Sequence, residues 1–194
     1  MNQIQRIETR YFRVPLRDCL VDALHGTHTH FELITATVTM EDGTEGTGYT
    51  YTGGFGGAAI AKMIEADLTP LLTGQEVHSP EQMNDFMNQR IHYVARGGIA
   101  SFAISALDIA FWDAKLKREG LPLCRAFGRE PQPVRTYYGG IDLAFNQTQL
   151  LESLEAQLKR GHTAVKIKLG RPGDQEDLDR IRAVRQLIGD DALF

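Results

Sequence analysis

The sequence predicts two successive structural units, an α+β unit over residues 1–130 and a strand–helix–strand–helix unit over residues 131–194. In the first unit, three β-rich runs precede three segments with helical periodicity. After the Pro131-Gln-Pro133 segment, strand and helix patterns alternate, as in a parallel α/β sheet or barrel. A closed barrel takes eight such strand–helix pairs. We therefore expect the chain to be a piece of a longer protein, or its small sheet to be completed by something else.

The strands of the first unit are predicted at residues 4–14, 31–40 and 46–52. Thr, Val, Ile and Tyr are frequent in these runs, and Pro15 is expected to end the first of them. Asp42-Gly43 separates the second run from the third, and Asp-Gly between β-rich runs is the strongest local hairpin signal. The glycine-rich segment 53–57 predicts a mobile loop.

Helices are predicted in both units. Those of the first unit span residues 58–72, 80–94 and 99–119. Ser79 is a favourable N-cap, with Pro80 at the first helical position, and Gly120 is expected to end the last helix. The second unit is predicted to alternate strand, helix, strand, helix and the start of a further strand over residues 134–139, 148–160, 163–169, 174–188 and 192–194.

The predicted strand Thr163-Ala-Val-Lys-Ile-Lys-Leu-Gly170 carries two lysines in an otherwise apolar run. Because residues i and i+2 of a strand share a face, Lys166 and Lys168 are expected to project together into one enclosed space. The apolar side chains are expected to pack on the opposite face: Val165, Ile167 and Leu169. Burying two like charges together is unfavourable unless a counter-charge, a metal-bound anion or a lowered pKa relieves it, which indicates a functional site. The alternative is that one or both lysines reach solvent from an edge strand.

The composition excludes several classes of function. With 42% hydrophobic and 24% charged residues, the chain is too apolar for disorder and too interrupted for membrane spans. A formal net charge of −4 gives no electrostatic case for nucleic acid or anionic lipid as a partner. Cys19 and Cys124 lack metal-ligand spacing, and residues 1–10 lack the apolar core of a signal peptide. A reduced, cytoplasmic location is therefore expected, and a single structural disulfide is the alternative.

Four sequence features can be compared with a known family. They are Ala103-Ile-Ser-Ala-Leu-Asp-Ile-Ala-Phe-Trp-Asp-Ala-Lys115, Gly120-Leu-Pro-Leu123, Phe127-Gly128 and Lys166-Ile-Lys168. Together they resemble the enolase superfamily and, within it, the mandelate racemase/muconate lactonizing enzyme group. The resemblance implies an N-terminal capping domain over residues 1–130, with a three-stranded antiparallel sheet and a helical bundle. It also implies that residues 131–194 are the first two βα units of a truncated (β/α)8 TIM-type barrel.

This resemblance also implies a reaction. In this group a proton α to a carboxylate is abstracted, and the resulting enediolate is held by a divalent metal, usually Mg²⁺. Such a proton is so weakly acidic that its removal needs strong charge stabilisation, which a bound cation supplies. By position, Lys168 is the implied general base. Lys166 then lies beside the substrate carboxylate and, as a like charge, favours the neutral form of Lys168.

The metal ligands are expected outside this chain. In the group they are three carboxylates at the ends of later barrel strands, and the resemblance places them beyond Phe194. The second catalytic group is expected there as well. We therefore expect no metal ligand among the printed residues, and no activity from the printed chain alone.

Two stretches of the predicted capping domain match the segments with which this group closes its active site, residues 20–30 and 49–57. They make His25, His28 and Tyr51 candidate substrate contacts. For the histidines, the alternative is that they are ordinary exposed loop residues. A histidine metal site lacks a third ligand with suitable spacing.

Three functions remain open for the full-length protein. The first is dehydration of an acid sugar, an aldonate or aldarate, because the predicted lid is polar. The second is a racemase, epimerase or cycloisomerase of the same group, which shares the first step. The third, from another class, is a non-catalytic cap-like module for binding or assembly. The expected partner is a small carboxylate substrate, with neither nucleic acid nor membrane, and the resemblance implies a homo-oligomer.

Overall fold

The computed structural model describes residues 3–94 and 96–190. They form two compact units. The first unit joins the chain up to Pro15 with His30–Pro131, and the second joins Leu16–Thr29 with the chain from Gln132 onward. The sequence did not predict that Leu16–Thr29 would pack with the second unit.

The first unit is built on a sheet whose strand order is β1-β2-β3: Ile4–Asp22 (β1), Gly26–Met40 (β2) and Glu45–Thr52 (β3). Strands β2 and β3 are antiparallel, with Glu32 opposite Thr52. The prediction that Pro15 ends the first strand is wrong, since β1 continues to Asp22. Because β1 is an edge strand, a residue without an N–H group is tolerated there.

The helices of the first unit follow the sheet: Gly57–Met63 (α1), Thr69–Leu72 (α2), Pro80–Arg90 (α3), Gly98–Glu119 (α4) and Leu123–Ala126 (α5). The helix predicted over 58–72 is interrupted by a π-helical turn at Ile64–Leu68. The predicted N-cap is confirmed, because Ser79 Oγ accepts the N–H of Gln82 at 3.2 Å. Gly120 ends α4 in the left-handed conformation, with a φ of 64°. None of the helices in the described part of the chain is long and apolar enough to span a membrane.

Helix α4 packs directly on β3, because two glycines of the strand leave room for the helix backbone. A Cβ atom on Gly46 would lie 2.0 Å from the carbonyl oxygen of Ala110, and one on Gly48 would lie 1.9 Å from that of Ala106. The core of this unit buries larger side chains around this contact: Ile34, Ile60, Leu68, Leu107 and Phe111.

The second unit has the predicted order of strand, helix, strand and helix: Tyr138–Gly139 (β4), Gln147–Lys159 (α6), Val165–Lys166 (β5) and Asp174–Ile188 (α7). Strands β4 and β5 are parallel. Both are shorter than the predicted strands at 134–139 and 163–169, since their ladder comprises two residue pairs. The further strand predicted at 192–194 lies outside the described residues.

A small hydrophobic core holds the described part of the second unit together. It buries Leu150, Leu154, Val165, Ile167 and Val184. Helix α6 begins with a capping box, in which the Asn146 side chain accepts the N–H of Gln149 at 2.9 Å and the Gln149 side chain accepts the N–H of Asn146 at 3.0 Å. Thus α6, β5 and α7 contribute to one core.

Candidate active site

Lys166 and Lys168 lie at the carboxyl end of β5. Lys166 is the last residue of the strand, and Lys168 follows two residues later. Val165 and Ile167 are buried in the core of the second unit. The lysines therefore alternate onto the face away from that core, as the sequence predicted.

The predicted enclosure of both lysines is wrong for the described structure. Lys166 is exposed and Lys168 is half-buried. Leu169, which was expected to pack with the core, is 40% exposed. Lys166 is exposed because it faces away from the core, and Leu169 lies beyond the last residue pair of the β4–β5 ladder, Gly139–Lys166. The Nζ atom of Lys166 instead lies 5.6 Å from the ring centroid of Tyr137, in a cation–π contact.

A buried acidic residue binds the backbone of Lys168. The Oδ1 atom of Asp142 accepts the N–H of Lys168 at 2.9 Å and the guanidinium of Arg180 at 3.0 Å. Burial lowers the pKa of Arg180, as does the nearby charge of Arg171, while Asp142 opposes the shift. This pair was not predicted from the sequence. One feature of the sequence could have indicated that Arg180 is buried: it lies one helical turn before Val184, so both side chains are on the same, core-facing side of α7.

Residues 20–30, expected to be a lid loop, form the tip of a hairpin between β1 and β2. The carboxylate of Asp22 fixes this tip, because it accepts the N–H groups of Leu24 and His25 at 2.9 and 2.7 Å. It also lies 3.0 Å from Nδ1 of His25. The side chain of His25 is exposed, and its ring centroid lies 6.3 Å from that of the half-buried His28. The two histidines are therefore neighbours on an ordered hairpin.

Asp142 contacts both the hairpin tip and the backbone of Lys168. Val21 and Asp142 form a parallel β-bridge, and the N–H of Leu143 donates to the carbonyl oxygen of Val21 at 3.2 Å. Asp142 also binds the N–H of Lys168. The second unit thus contains four of the five candidate site residues predicted from the sequence, the two lysines and the two histidines.

We expect an NMR titration of the Leu24 and His25 amides to give a midpoint of about 2 rather than the ordinary 3.8 of an aspartate. Two hydrogen bonds from His25 lower the pKa of Asp22 to about 2, and the bond from its backbone N–H has a larger effect than the bond from its imidazole. The carboxylate therefore stabilises the hairpin tip above pH 3.8, and this contribution is lost as the pH falls towards about 2. The variant Asp22→Asn should remove the titration, and a midpoint near 3.8 in the unsubstituted protein would contradict this assignment.

Tyr51, the fifth candidate, belongs to the first unit. It lies near the end of β3, just before the glycine-rich segment 53–57, and its side chain is 59% exposed. Its ring packs edge-on against Phe31, with 6.0 Å between the ring centroids. An exposed tyrosine beside a glycine-rich segment is compatible with a lid residue.

Glu32 fixes both ends of the glycine-rich segment. Its buried carboxylate accepts three hydrogen bonds, at 2.5, 2.6 and 2.8 Å, from the hydroxyls of Tyr11 and Thr52 and the N–H of Gly57. Burial raises the pKa of Glu32, but the three donors together outweigh it, and the net shift is downward. One feature of the sequence could have indicated that Glu32 is buried. It lies two residues before the buried Ile34 on β2, so the two side chains point to the same face of the sheet.

Replacing Glu32 with Gln is expected to destabilise the first unit by about 2 kcal/mol, because one charged acceptor serves three donors. Urea unfolding measures the loss, and hydrogen exchange should show faster exchange of the Gly57 amide. The matched control is Glu45→Gln, which changes an exposed glutamate on β3 and should leave both values almost unchanged. A Gly57 amide that stays equally protected in Glu32→Gln would contradict the anchoring role.

No metal site is formed by the described residues. Across 3–94 and 96–190, no three His, Cys, Asp or Glu side chains converge in a way that could hold a metal ion. These residues therefore do not fit Mg²⁺, which needs several oxygen ligands around it. Cys19 and Cys124 are both free thiols, so the disulfide alternative is not realised.

The family of the chain follows from comparison with known proteins. Residues 6–128 match the model of the mandelate racemase / muconate lactonizing enzyme N-terminal domain. The 3,6-anhydro-α-L-galactonate cycloisomerase of Streptomyces coelicolor is 43% identical over 96% of this chain and 52% of its own length. The L-talarate/galactarate dehydratase of Salmonella typhimurium is 33% identical over 84% of this chain and 41% of its own length. The chain thus spans about half the length of the curated relatives it matches.

Solved structures agree with this comparison. A magnesium-bound racemase from Streptomyces coelicolor A3(2) superimposes with a TM-score of 0.93 at 43% identity, over 97% of this chain and 53% of that protein. The Salmonella L-talarate/galactarate dehydratase, with magnesium and L-lyxarohydroxamate, superimposes with a TM-score of 0.91 at 29% identity, over 98% of this chain and 50% of that protein. The chain therefore belongs to the mandelate racemase/muconate lactonizing enzyme family of the enolase superfamily.

Proposed function

We propose that the full-length protein of which this chain is part abstracts the proton α to the carboxylate of an acid sugar and dehydrates the product enediolate. The observation that carries this proposal is the position of Lys166 and Lys168. They stand on the face away from the core, at the carboxyl end of a parallel strand. Enzymes built on parallel strands place their reacting groups at that end.

Each lysine has a distinct role in this proposal. The Nζ atom of Lys168 takes the α-proton, and the electron pair of the broken C–H bond moves into the carboxylate to give the enediolate. The Nζ atom of Lys166, exposed beside Tyr137, binds the substrate carboxylate. The enediolate then expels the β-hydroxyl, which takes a proton from the second catalytic group of the full-length protein and leaves as water. The resulting enol loses its O–H proton and gains one from solvent at carbon 3, which gives a 2-keto-3-deoxy acid.

The domain assignment is part of the same proposal. Residues 1–130 would form the capping domain, and residues 131–194 the first two βα units of a (β/α)8 barrel. The parallel pairing of β4 and β5, with a helix after each, supports this assignment. His25, His28 and Tyr51 would contact the hydroxyl groups of the substrate. A cytoplasmic location and a homo-oligomeric state stay predictions.

Mg²⁺ would supply charge stabilisation for the enediolate, as magnesium is present in the two structural relatives. The described residues do not provide its ligands. We propose that the ligands belong to the half of the enzyme that corresponds to the rest of the relatives' length.

A second candidate, ring opening of an anhydro sugar acid, is favoured by the 43% identity to a cycloisomerase. The first step is the same. The group expelled from the β-carbon is then the ring ether oxygen rather than a hydroxyl, so the product is an isomer of the substrate.

A screen of the full-length protein with Mg²⁺ against aldonates, aldarates and 3,6-anhydro aldonates tests both candidates. Dehydration gives a keto acid that has lost the mass of one water, whereas ring opening gives a keto acid of unchanged mass. Epimerisation would appear as a new stereoisomer without any keto acid. Turnover of only aryl or amino-acid derivatives would refute the acid-sugar assignment. The printed chain alone is expected to show no turnover.

A further inference from the structure

A buried ion pair that the proposed chemistry does not use joins Asp142, which follows β4, to Arg180 of α7. The side chains of Asp142 and Arg180 are 5% and 3% exposed. Oδ1 of Asp142 accepts from Arg180 at 3.0 Å. Removing two charges from water costs several kcal/mol per ion, and an apolar pair of similar volume would often serve stability equally well. Stability alone therefore does not account for this pair, which indicates a further role for it.

The second hydrogen bond of the same oxygen indicates that role. Oδ1 of Asp142 also accepts the backbone N–H of Lys168, at 2.9 Å. Lys168 lies two residues beyond the end of β5, where the two-pair ladder with β4 has stopped. At this point a side chain, rather than a neighbouring strand, fixes the direction of the backbone.

We propose that Asp142 is a positioning residue for Lys168 and that Arg180 holds Asp142 in the required place. The inference rests on the proposed function, in which Lys168 is the base. A lysine side chain has four rotatable bonds, so its ammonium reaches a fixed point reproducibly only if its backbone is fixed. A displacement of about 1 Å at a reacting group costs about 100-fold in rate.

Arg180 binds the whole turn that carries Asp142. It donates to the carbonyl oxygens of Asp142 and Phe145 at 3.1 and 2.9 Å. Arg171 donates to the carbonyl oxygen of Leu143 at 2.8 Å. The turn is thus held by two guanidinium groups, one from α7 and one from the loop before it.

Gly140 makes room for the carboxylate. A Cβ atom on this residue would lie 2.2 Å from Oδ2 of Asp142. Any larger residue would push the carboxylate away from the N–H of Lys168. The absence of a side chain at Gly140 therefore leaves the space that the Asp142 carboxylate occupies.

The test compares Asp142→Ala and Asp142→Asn in the full-length protein, on the acid sugar that it turns over. Asp142→Ala removes the acceptor and should lower kcat about 100-fold. KM should be unchanged, because substrate binding does not depend on the exact position of the Lys168 side chain. Asp142→Asn keeps an acceptor oxygen of the same shape but loses the charge, and should lower kcat several-fold. The matched control is Asp179→Asn, an exposed carboxylate adjacent to Arg180, which should leave kcat unchanged.

The outcomes separate positioning from stability. Thermal melts first establish that each variant is folded at the assay temperature. Hydrogen exchange should then show a less protected Lys168 amide in Asp142→Ala than in Asp142→Asn. Folded variants with the kcat of the unsubstituted protein would overturn the inference. If Asp142→Ala does not fold, the test rests on Asp142→Asn. A kcat of Asp142→Asn equal to that of the unsubstituted protein would then overturn the inference.

The same experiment distinguishes failure of the inference from failure of the proposed function. An unsubstituted protein that turns over no acid sugar overturns the proposed function, and with it the role of Asp142. Turnover that depends on Lys168 but not on Asp142 overturns the inference alone.

Discussion

Lys168→Met is expected to lower kcat of the full-length protein by about 100- to 10,000-fold, because a positioned general base contributes about 10²–10⁴ in rate. Methionine keeps the length and apolar stem of lysine but cannot accept a proton. The half-buried stem of Lys168 should therefore still pack, and the protein should remain folded. Steady-state kinetics on an acid sugar, with a thermal melt of each variant, measure both effects.

The matched control for this substitution is Lys159→Met. Lys159 is the last residue of α6, and its exposed ammonium pairs with Glu155 at 3.0 Å. Loss of such a surface pair costs about 0.5 kcal/mol of stability and should leave kcat unchanged. A folded Lys168→Met protein with more than a tenth of the normal kcat would show that another group takes the proton.

Gly48→Ala is expected to destabilise the first unit by about 4 kcal/mol, the range reached by severe overpacking of a core. The added Cβ would lie 1.9 Å from the carbonyl oxygen of Ala106 and 2.7 Å from the backbone nitrogen of Ala110. Both atoms belong to the backbone of α4, so no side-chain rotation relieves the overlap. The helix would have to move away from β3.

Urea unfolding of the chain and of this variant measures the effect. Thr47→Ala is the control on the same strand, since Thr47 points to the exposed face and its hydroxyl contacts that of Thr37 at 3.0 Å. It should cost less than about 1 kcal/mol. A loss of similar size in both variants would contradict close packing of β3 on α4.

Features set by neighbouring residues were predictable from the sequence. The hairpin between β2 and β3 follows from Asp42-Gly43, and the start of α3 follows from the Ser79 cap. Alternation placed Lys166 and Lys168 away from the core. In each of these cases the determining residues lie within a few positions of one another, so local patterns suffice.

Features set by distant residues were not predictable in the same way. Asp142 lies far along the chain from both Lys168 and Arg180, and no local rule joins them. Glu32 gathers its donors from two other parts of the chain, Tyr11 before it and Gly57 after it. Leu169 is exposed beyond the end of the β4–β5 ladder, and strand propensity does not specify where that ladder stops.

The central claim, abstraction of an α-proton with Lys168 as the base, is tested most directly with an acid sugar deuterated at the α-carbon. The full-length protein with Mg²⁺ should release the label to water during turnover and should react more slowly than with the unlabelled substrate. Lys168→Met should do neither. A product formed by the unsubstituted protein that retains the deuterium on the α-carbon would contradict the account.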